Sequence, residues 1–389
     1  LKRLFYFHAD ATGVSVVHKS DIVLIGGGII GLVIAWRLCQ NGHQVTVLER
    51  GQIGREASWA AAGMLAPHCE FDHPDAFFDL CKRSLDTYPD FISDLTGETG
   101  QEIDYLTTGT IFPALSDGDQ KKLETRFKRQ NEAGLPVELL SAKATRRLEP
   151  NLSANVHMSL RYPDDHQVES RDVIKALTQA IRQLGGMIYE EVAVKRILTD
   201  QSQVTGVQTD SAVWESRTVV NTTGSWARYL DGVPSSVRPP IRPVHGQILS
   251  LATGGAWPFR HTIFTSKTYL VPRSNGRLIV GATVEEPGFR KEVTVEGILQ
   301  LLHGALRLAP SLRAFPLEAT WSGLRPAAED HLPVLGHTSV KGYHLATGHY
   351  RNGILLAPIT GDLMVDLIEN QSIPSLMQPF LLDRFYSTD

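Results

Sequence analysis

Apolar and polar positions along the chain change period several times, and each change marks an element. Asp21–Ile25 reads as a short, β-branched strand. Ile29–Gln40 reads as a helix of small and aliphatic residues, and His43–Glu49 as a second strand that alternates at its start. Together they form a βαβ unit of about 30 residues, the opening of a doubly wound sheet. Ala76–Leu95 and Asp119–Ala133 carry helical spacing, and Ser170 is placed to cap a helix that stops at Gly185-Gly186. "MIYEEVAVKRI" and "SRTVVNTTG" read as further strands, the second ending in small polar residues, as strands beside a ligand crevice do.

Between Val237 and Val284 the pattern turns antiparallel. "TYLVPRSNGRLIVGATVE" carries Asn275-Gly276, the favoured pair for a two-residue hairpin turn. That turn sets Ser274 opposite Arg277, Tyr269 opposite Ala282 and Lys267 opposite Val284, with Lys267, Tyr269, Ala282 and Val284 on one face. The whole pattern predicts an α/β (α+β) fold. A Rossmann-like nucleotide-binding domain, discontinuous over 21–75, 150–235 and 318–389, interleaves with a mixed, largely antiparallel substrate-binding domain of 76–149 and 236–317. Residues 1–20 read as a weakly ordered extension, and Leu1 in place of Met reads as a fragment or an alternative start.

Composition narrows the function. A net charge of −4 gives no electrostatic case for nucleic acid or an anionic membrane surface. The three cysteines, Cys39, Cys69 and Cys81, form no Cys-x-x-Cys pair, so the expectation is free thiols in a reducing cytoplasm and no metal site. No apolar run approaches the roughly 18 to 20 residues of a membrane span, and the first twenty residues lack the pattern of a secretory signal. The 14 histidines define no site by themselves, although His349 and His245 stand in informative segments.

Candidate chemistry begins at "GGGIIG", where Gly26, Gly28 and Gly31 follow a strand and open a helix. Gly26 permits the tight turn, Gly28 lets backbone approach a pyrophosphate, and Gly31 lets helix and strand pack closely. The helix N-terminus offers amides and a partial positive charge to phosphates. Glu49, at the end of the second strand, is placed to accept from ribose hydroxyls. "GREASWAAAGMLAP", Gly54–Pro67, follows with small, almost uncharged residues. Such a segment lets backbone amides lie against a flat, bulky ring system and favours FAD over a nicotinamide cofactor. The alternative is a small-residue helix packed in the core.

These residues, with "DAFFDLCKRS", "YLVPRSNGRLIVGATV", "WSGLRPAAED" and "GHYRNGILLAPITGDLMVDLI", resemble the FAD-dependent amino-acid oxidases of the D-amino-acid oxidase superfamily. More narrowly they are similar to the glycine oxidases of thiamine biosynthesis, from about Asp21 to about Ile368. The resemblance implies noncovalent FAD, with Ile29 and Ile30 near the pyrophosphate and Glu49 and Arg50 near the adenosine ribose. It implies that Ala57, Ser58, Ala62, Gly63 and Met64 line the cofactor and that Val194 contacts the adenine. His349, Tyr350, Arg351, Asn352, Gly353, Ile354 and Leu355 form the segment that closes over the flavin. Its helix begins either near Ile354, disturbed at Pro358, or at Pro358 itself, and in both cases free amides face the ring's carbonyl edge.

The resemblance further implies that Arg325 holds a substrate carboxylate, with Arg351 and the Tyr269 hydroxyl beside it. A bland alternative for Arg325 is a surface ion pair with Glu329 or Asp330. The chain departs from the family pattern at Val284, Ala66 and Lys267. There Val284 widens one pocket wall, Ala66 narrows another and Lys267 adds a charge if it points inward. The implied reaction oxidises glycine to its imine, then glyoxylate, with oxygen reduced to hydrogen peroxide, in a homo-oligomer, often a tetramer. The alternatives are a D-amino-acid or sarcosine oxidase, a dehydrogenase with another electron acceptor, and a non-catalytic flavin-binding scaffold.

Overall fold

The computed structural model describes residues 16–386. Ile22–Ile25 and Val45–Leu48 are wholly buried strands; the first reads as an unbroken apolar run, and the second buries one polar side chain, Thr46. They belong to a six-stranded sheet in the order Met187–Tyr189, Val45–Leu48, Ile22–Ile25, Thr218–Asn221, Tyr343–Thr347, Val334–His337. All neighbours pair in parallel except the last two strands. Period-two alternation splits these strands between two cores. Ile22, Leu24, Val45, Val47 and Val220 face the helices Ile29–Gln40, Ala76–Thr99, Ser170–Gln183 and Ala357–Asn370. Val23, Ile25, Leu48 and Val219 face a second, four-stranded sheet through Ile197, Val207 and Trp214.

An eight-stranded sheet forms the rest of the frame. Its order is Leu317–Ala327, Arg242–Ala252, Arg277–Gly281, Tyr269–Pro272, Thr262–Phe264, Thr110–Ala114, Met158–Tyr162, Glu138–Ser141. One contact, between Thr262–Phe264 and Thr110–Ala114, is parallel. Leu249, Leu251, Leu270, Leu278 and Val280 pack on one face against the helix Val295–Leu308. Ile248, Val271 and Ile279 point from the other face to Ala62. Met158–Tyr162 and Leu317–Ala327 pair within this sheet, so the expected divisions at 150 and 318 do not follow the strand pairing.

Several local expectations need correction. Val16–Lys19 pairs in parallel with Ala212–Glu215, so the expected loose extension includes a strand, while residues 1–15 lie outside the described residues. The cap of Ser170–Gln183 is Glu169, whose carboxylate accepts from the Arg171 amide at 3.3 Å. Its longer side chain reaches the first turn, and Ser170 Oγ turns instead to the Ala61 carbonyl at 3.3 Å. The hairpin register is shifted by one. Arg273 pairs with Arg277, leaving Ser274–Gly276 as a three-residue loop, and Tyr269 lies opposite Gly281 instead of Ala282. The reason is local, because Gly276 has φ +79° but Asn275 is not among the positive-φ residues that a type I′ turn requires.

Candidate active site

A cavity of about 420 Å³ runs from the glycine motif of the six-stranded sheet to the inner face of the eight-stranded sheet. At the nucleotide end the Gly26 turn has φ +106°, and a Cβ on Gly31 would fall 2.2 Å from the Gly26 carbonyl oxygen. Thr222 Oγ1 donates to the carbonyls of Ile25 and Gly26 at 2.9 Å and ties the turn to the neighbouring strand. Glu49 accepts from the amides of Gly27 at 2.7 Å and Gly51 at 2.9 Å, so the carboxylate also organises the glycine loop. Ser58 Oγ accepts from the Ile29 amide at 3.0 Å. Gly28 and Ile30 line the cavity, and their amides find no partner among the described residues. The Arg50 guanidinium lies 3.5 Å over the Trp226 ring and 3.1 Å from Glu56. Trp226, Tyr229 and Val194 also line this end.

The middle of the cavity is walled by two backbone segments. Ala57, Ser58, Ala62, Gly63 and Met64 line one side. Gly63, at φ +67°, has no room for a side chain, since a Cβ would meet the Val168 carbonyl oxygen at 1.8 Å. A Cβ on Gly323 would come 2.6 Å from the Ala60 Cβ, so the strand and the small-residue helix Ala57–Ala60 approach closely. The other segment is His349–Leu355. The helix that follows starts at Ala357 with Pro358 in its first turn, close to the second of the two expected starts. Tyr88 Oη donates to the Ile354 carbonyl at 2.5 Å and Ser84 Oγ to the Leu355 carbonyl at 2.6 Å. The amides of Gly353, Ile354 and Leu355 find no partner among the described residues. His349 is buried, its Nε2 lies 3.1 Å from Thr360 Oγ1, and burial pushes its pKa down to about 3, so it stays neutral. His245 pairs with Glu285 at 3.2 Å and does not line the cavity.

Arg325 and Tyr269 meet at the far end on a floor of glycine. A Cβ on Gly246 would lie 2.3 Å from the Arg325 guanidinium, and one on Gly281 would lie 2.3 Å from the Tyr269 ring. Arg325 Nη1 donates to the carbonyls of His245 at 3.3 Å and Thr283 at 3.2 Å. It forms no carboxylate pair among the described residues. Glu329 and Asp330 are exposed, and Asp330 is bound by Arg384 at 2.7 Å, which removes the surface-pair alternative. Burial and then Arg351 lower the Arg325 pKa, while burial raises the Tyr269 hydroxyl against the opposing pull of Arg325. Arg351 and Lys267 are exposed at the cavity edge, without an ion pair among the described residues, and Val284 is 51% exposed there.

Of the expected site residues, Gly31, Ala66, Asn352 and Leu355 do not line the cavity. The expectation that Ala66 narrows a wall is corrected: Ala66 packs behind it with Cys69, Leu160 and Tyr162. Its short helix, Pro67–Glu70, instead brings Glu70 to the cavity. Burial raises the Glu70 pKa to about 7, with Arg351 pulling against that rise and Asp165 adding to it. The sequence reading missed Glu70, Trp226, Tyr229, Gly246 and Gly281. Gly246 and Gly281 left a usable signal, since glycine inside a strand marks close approach by another group. Glu70 left none.

A parallel sheet with a glycine turn, facing a largely antiparallel sheet across a shared cavity, is the arrangement of a dinucleotide-binding protein. The comparisons with known proteins sharpen this. Residues 21–367 match the family described as FAD dependent oxidoreductase, DAO. The glycine oxidase of Geobacillus kaustophilus is 34% identical over 371 residues, covering 94% of this chain and 97% of the relative. Its crystal structure superimposes with a TM-score of 0.89 at 33% identity, over 94% of this chain and 99% of that one. The bifunctional protein ThiO/ThiG of Synechocystis sp. is 40% identical over 375 residues, covering 95% of this chain. The chain spans about half the length of that relative, 54%. The chain belongs to the DAO family of FAD-dependent oxidoreductases, and FAD is its cofactor. The open amides, the side-chain-free approach at Gly63 and the stacked Arg50–Trp226 pair fit such a group.

Proposed function

We propose that the protein oxidises glycine to its imine, which water hydrolyses to glyoxylate and ammonia, with oxygen reduced to hydrogen peroxide. The observation that carries this reading is Arg325, laid across Gly246 with no carboxylate partner among the described residues and with Tyr269 beside it, at the end of the cofactor cavity. Bound FAD supplies the acceptor for the hydride that leaves the α-carbon. The chain's own residues bind and orient. Arg325 grips the carboxylate with its planar fork, and the Tyr269 hydroxyl donates to the same group. Holding the α-carbon at one place removes the entropy of bringing the reactants together. The glycine amine loses its proton to solvent, and His349, buried beside Thr360 with its pKa pushed down to about 3, does not take it up.

The carboxylate site formed by Arg325 and Tyr269 and the likeness to glycine oxidases support a small amino acid, and sarcosine or small D-amino acids are lesser substrates. The ThiO/ThiG relatives support a role in supplying the glycine imine for the thiazole of thiamine. The reading extends to a cytoplasmic homo-oligomer. No helix among the described residues is long and apolar enough to cross a membrane.

The purified protein should be yellow, bleach with glycine under anaerobic conditions and form peroxide in air. A clear preference for a larger D-amino acid would overturn the substrate, and turnover without peroxide would overturn the acceptor. Arg325→Ala should raise the KM for glycine by the equivalent of about 2–5 kcal/mol while FAD stays bound. Loss of FAD instead would remove Arg325 from the substrate role.

A further inference from the structure

The small-residue segment beside the cofactor is held from behind by four side chains, one per carbonyl. Arg171 Nε donates to the Trp59 carbonyl at 3.3 Å, and Trp321 Nε1 to that of Ala60 at 3.1 Å. Ser170 Oγ donates to that of Ala61 at 3.3 Å, and Arg273 Nη2 to that of Ala62. Arg273 is only 3% exposed and does not line the cavity, whereas Ala62 and Gly63 do. The carbonyl and N–H of a trans peptide point in opposite directions. With the Ala62 carbonyl turned to the guanidinium, the Gly63 N–H points away from it, and this amide, on a residue that lines the cavity, has no partner among the described residues.

The charge behind this peptide is shared among several groups, since Glu169, Asp104 and Asp172 favour the Arg273 cation and Arg277 opposes it. Glu169 Oε2 lies 3.6 Å from Arg273 Nε and 2.9 Å from Arg277 Nη2, so one buried carboxylate serves two guanidiniums. Arg273 Nη1 turns to Gln167 at 3.3 Å, and its Nε makes no hydrogen bond. A cation hydrogen-bonded to a carbonyl polarises the whole peptide and strengthens its N–H as a donor, more so away from water.

We propose that Arg273 is a positioning residue for the flavin, acting through the Ala62–Gly63 peptide to aim and strengthen the Gly63 N–H toward the ring. Electron density that the ring gains on reduction is thereby stabilised by a fixed dipole with a cation behind it. The inference rests on FAD binding and is independent of which amino acid is oxidised.

The test is the midpoint potential of FAD in the loaded protein, measured by dye equilibration, beside thermal unfolding of the apoprotein. Arg273→Gln removes the charge and should shift the two-electron reduction equilibrium about tenfold toward the oxidised form, about 30 mV lower. Arg273→Lys keeps the charge and should recover most of that shift. Glu169→Gln removes the counter-charge and should move the potential upward. An unchanged potential in both Arg273 variants, with only the unfolding temperature lowered, would reduce Arg273 to a structural cation and overturn the proposal. If Arg273→Gln does not fold, the comparison of the other two decides it: the potential of Glu169→Gln should lie above that of Arg273→Lys, which stays near the parent, and equal potentials in those two overturn the proposal.

Discussion

At the scale of single residues, the site depends on side chains whose neighbours leave room for them. Gly246 and Gly281 are the space that Arg325 and Tyr269 occupy. Glu70 lines the cavity within electrostatic reach of Arg351, and its pKa of about 7 against an ordinary 4.5 has a definite consequence for stability. The folded state binds a proton more tightly than the unfolded chain. The contribution of Glu70 to stability is therefore full below about 4.5 and is lost as pH rises through about 7. Glu70→Gln removes that dependence. Urea unfolding of the apoprotein at pH 5 and pH 8 should show the variant gaining on the parent chain as pH rises. A constant difference would mean that Arg351 holds the carboxyl ionised throughout.

At the scale of elements, the long helix Ala76–Thr99 has a function beyond its apolar stripe. Its Tyr88 and Ser84 reach the carbonyls of Ile354 and Leu355, some 270 positions along the chain, as their separations of 266 and 271 residues show. They satisfy the buried acceptors from behind and leave the amides of Gly353 and Ile354, both of which line the cavity, without a partner among the described residues. Tyr88→Phe leaves the Ile354 carbonyl unpaired in the core, which costs about 1–3 kcal/mol. It should lower the unfolding temperature and weaken FAD binding together, as read by calorimetry and by fluorescence quenching of added FAD. A loss of stability with unchanged FAD affinity would confine the helix to a packing role.

At the scale of the whole molecule, the cavity is the contact zone of two sheets with different strand rules. The parallel sheet supplies the glycine turn at the C-terminal ends of its strands, where doubly wound sheets bind their ligands. The antiparallel sheet supplies Arg325 and Tyr269 from its inner face. A cofactor lying between them stabilises only the assembled state. Free FAD at a hundredfold excess over its Kd should add about 2.7 kcal/mol to the unfolding free energy. Thermal melts across an FAD series should rise accordingly, and a flat series would mean that the cavity does not hold the cofactor.

The sequence alone determined the local rules. The βαβ unit with its glycine turn is written in neighbours a few residues apart, so period and spacing disclose it. So is the helix Ile29–Gln40, found with the bounds that its pattern predicts. Arg325 and Arg351 stood out because each sits in a distinctive short segment. Tertiary structure decided what depends on distant partners. The hairpin register turned on the φ of one residue, Asn275, which composition does not specify. The position of Glu70 in the cavity, and of Ala66 behind it, follows from how one short helix packs. The Arg273–Ala62 contact joins residues 211 positions apart, and only the folding of two sheets against each other brings that cation behind that peptide.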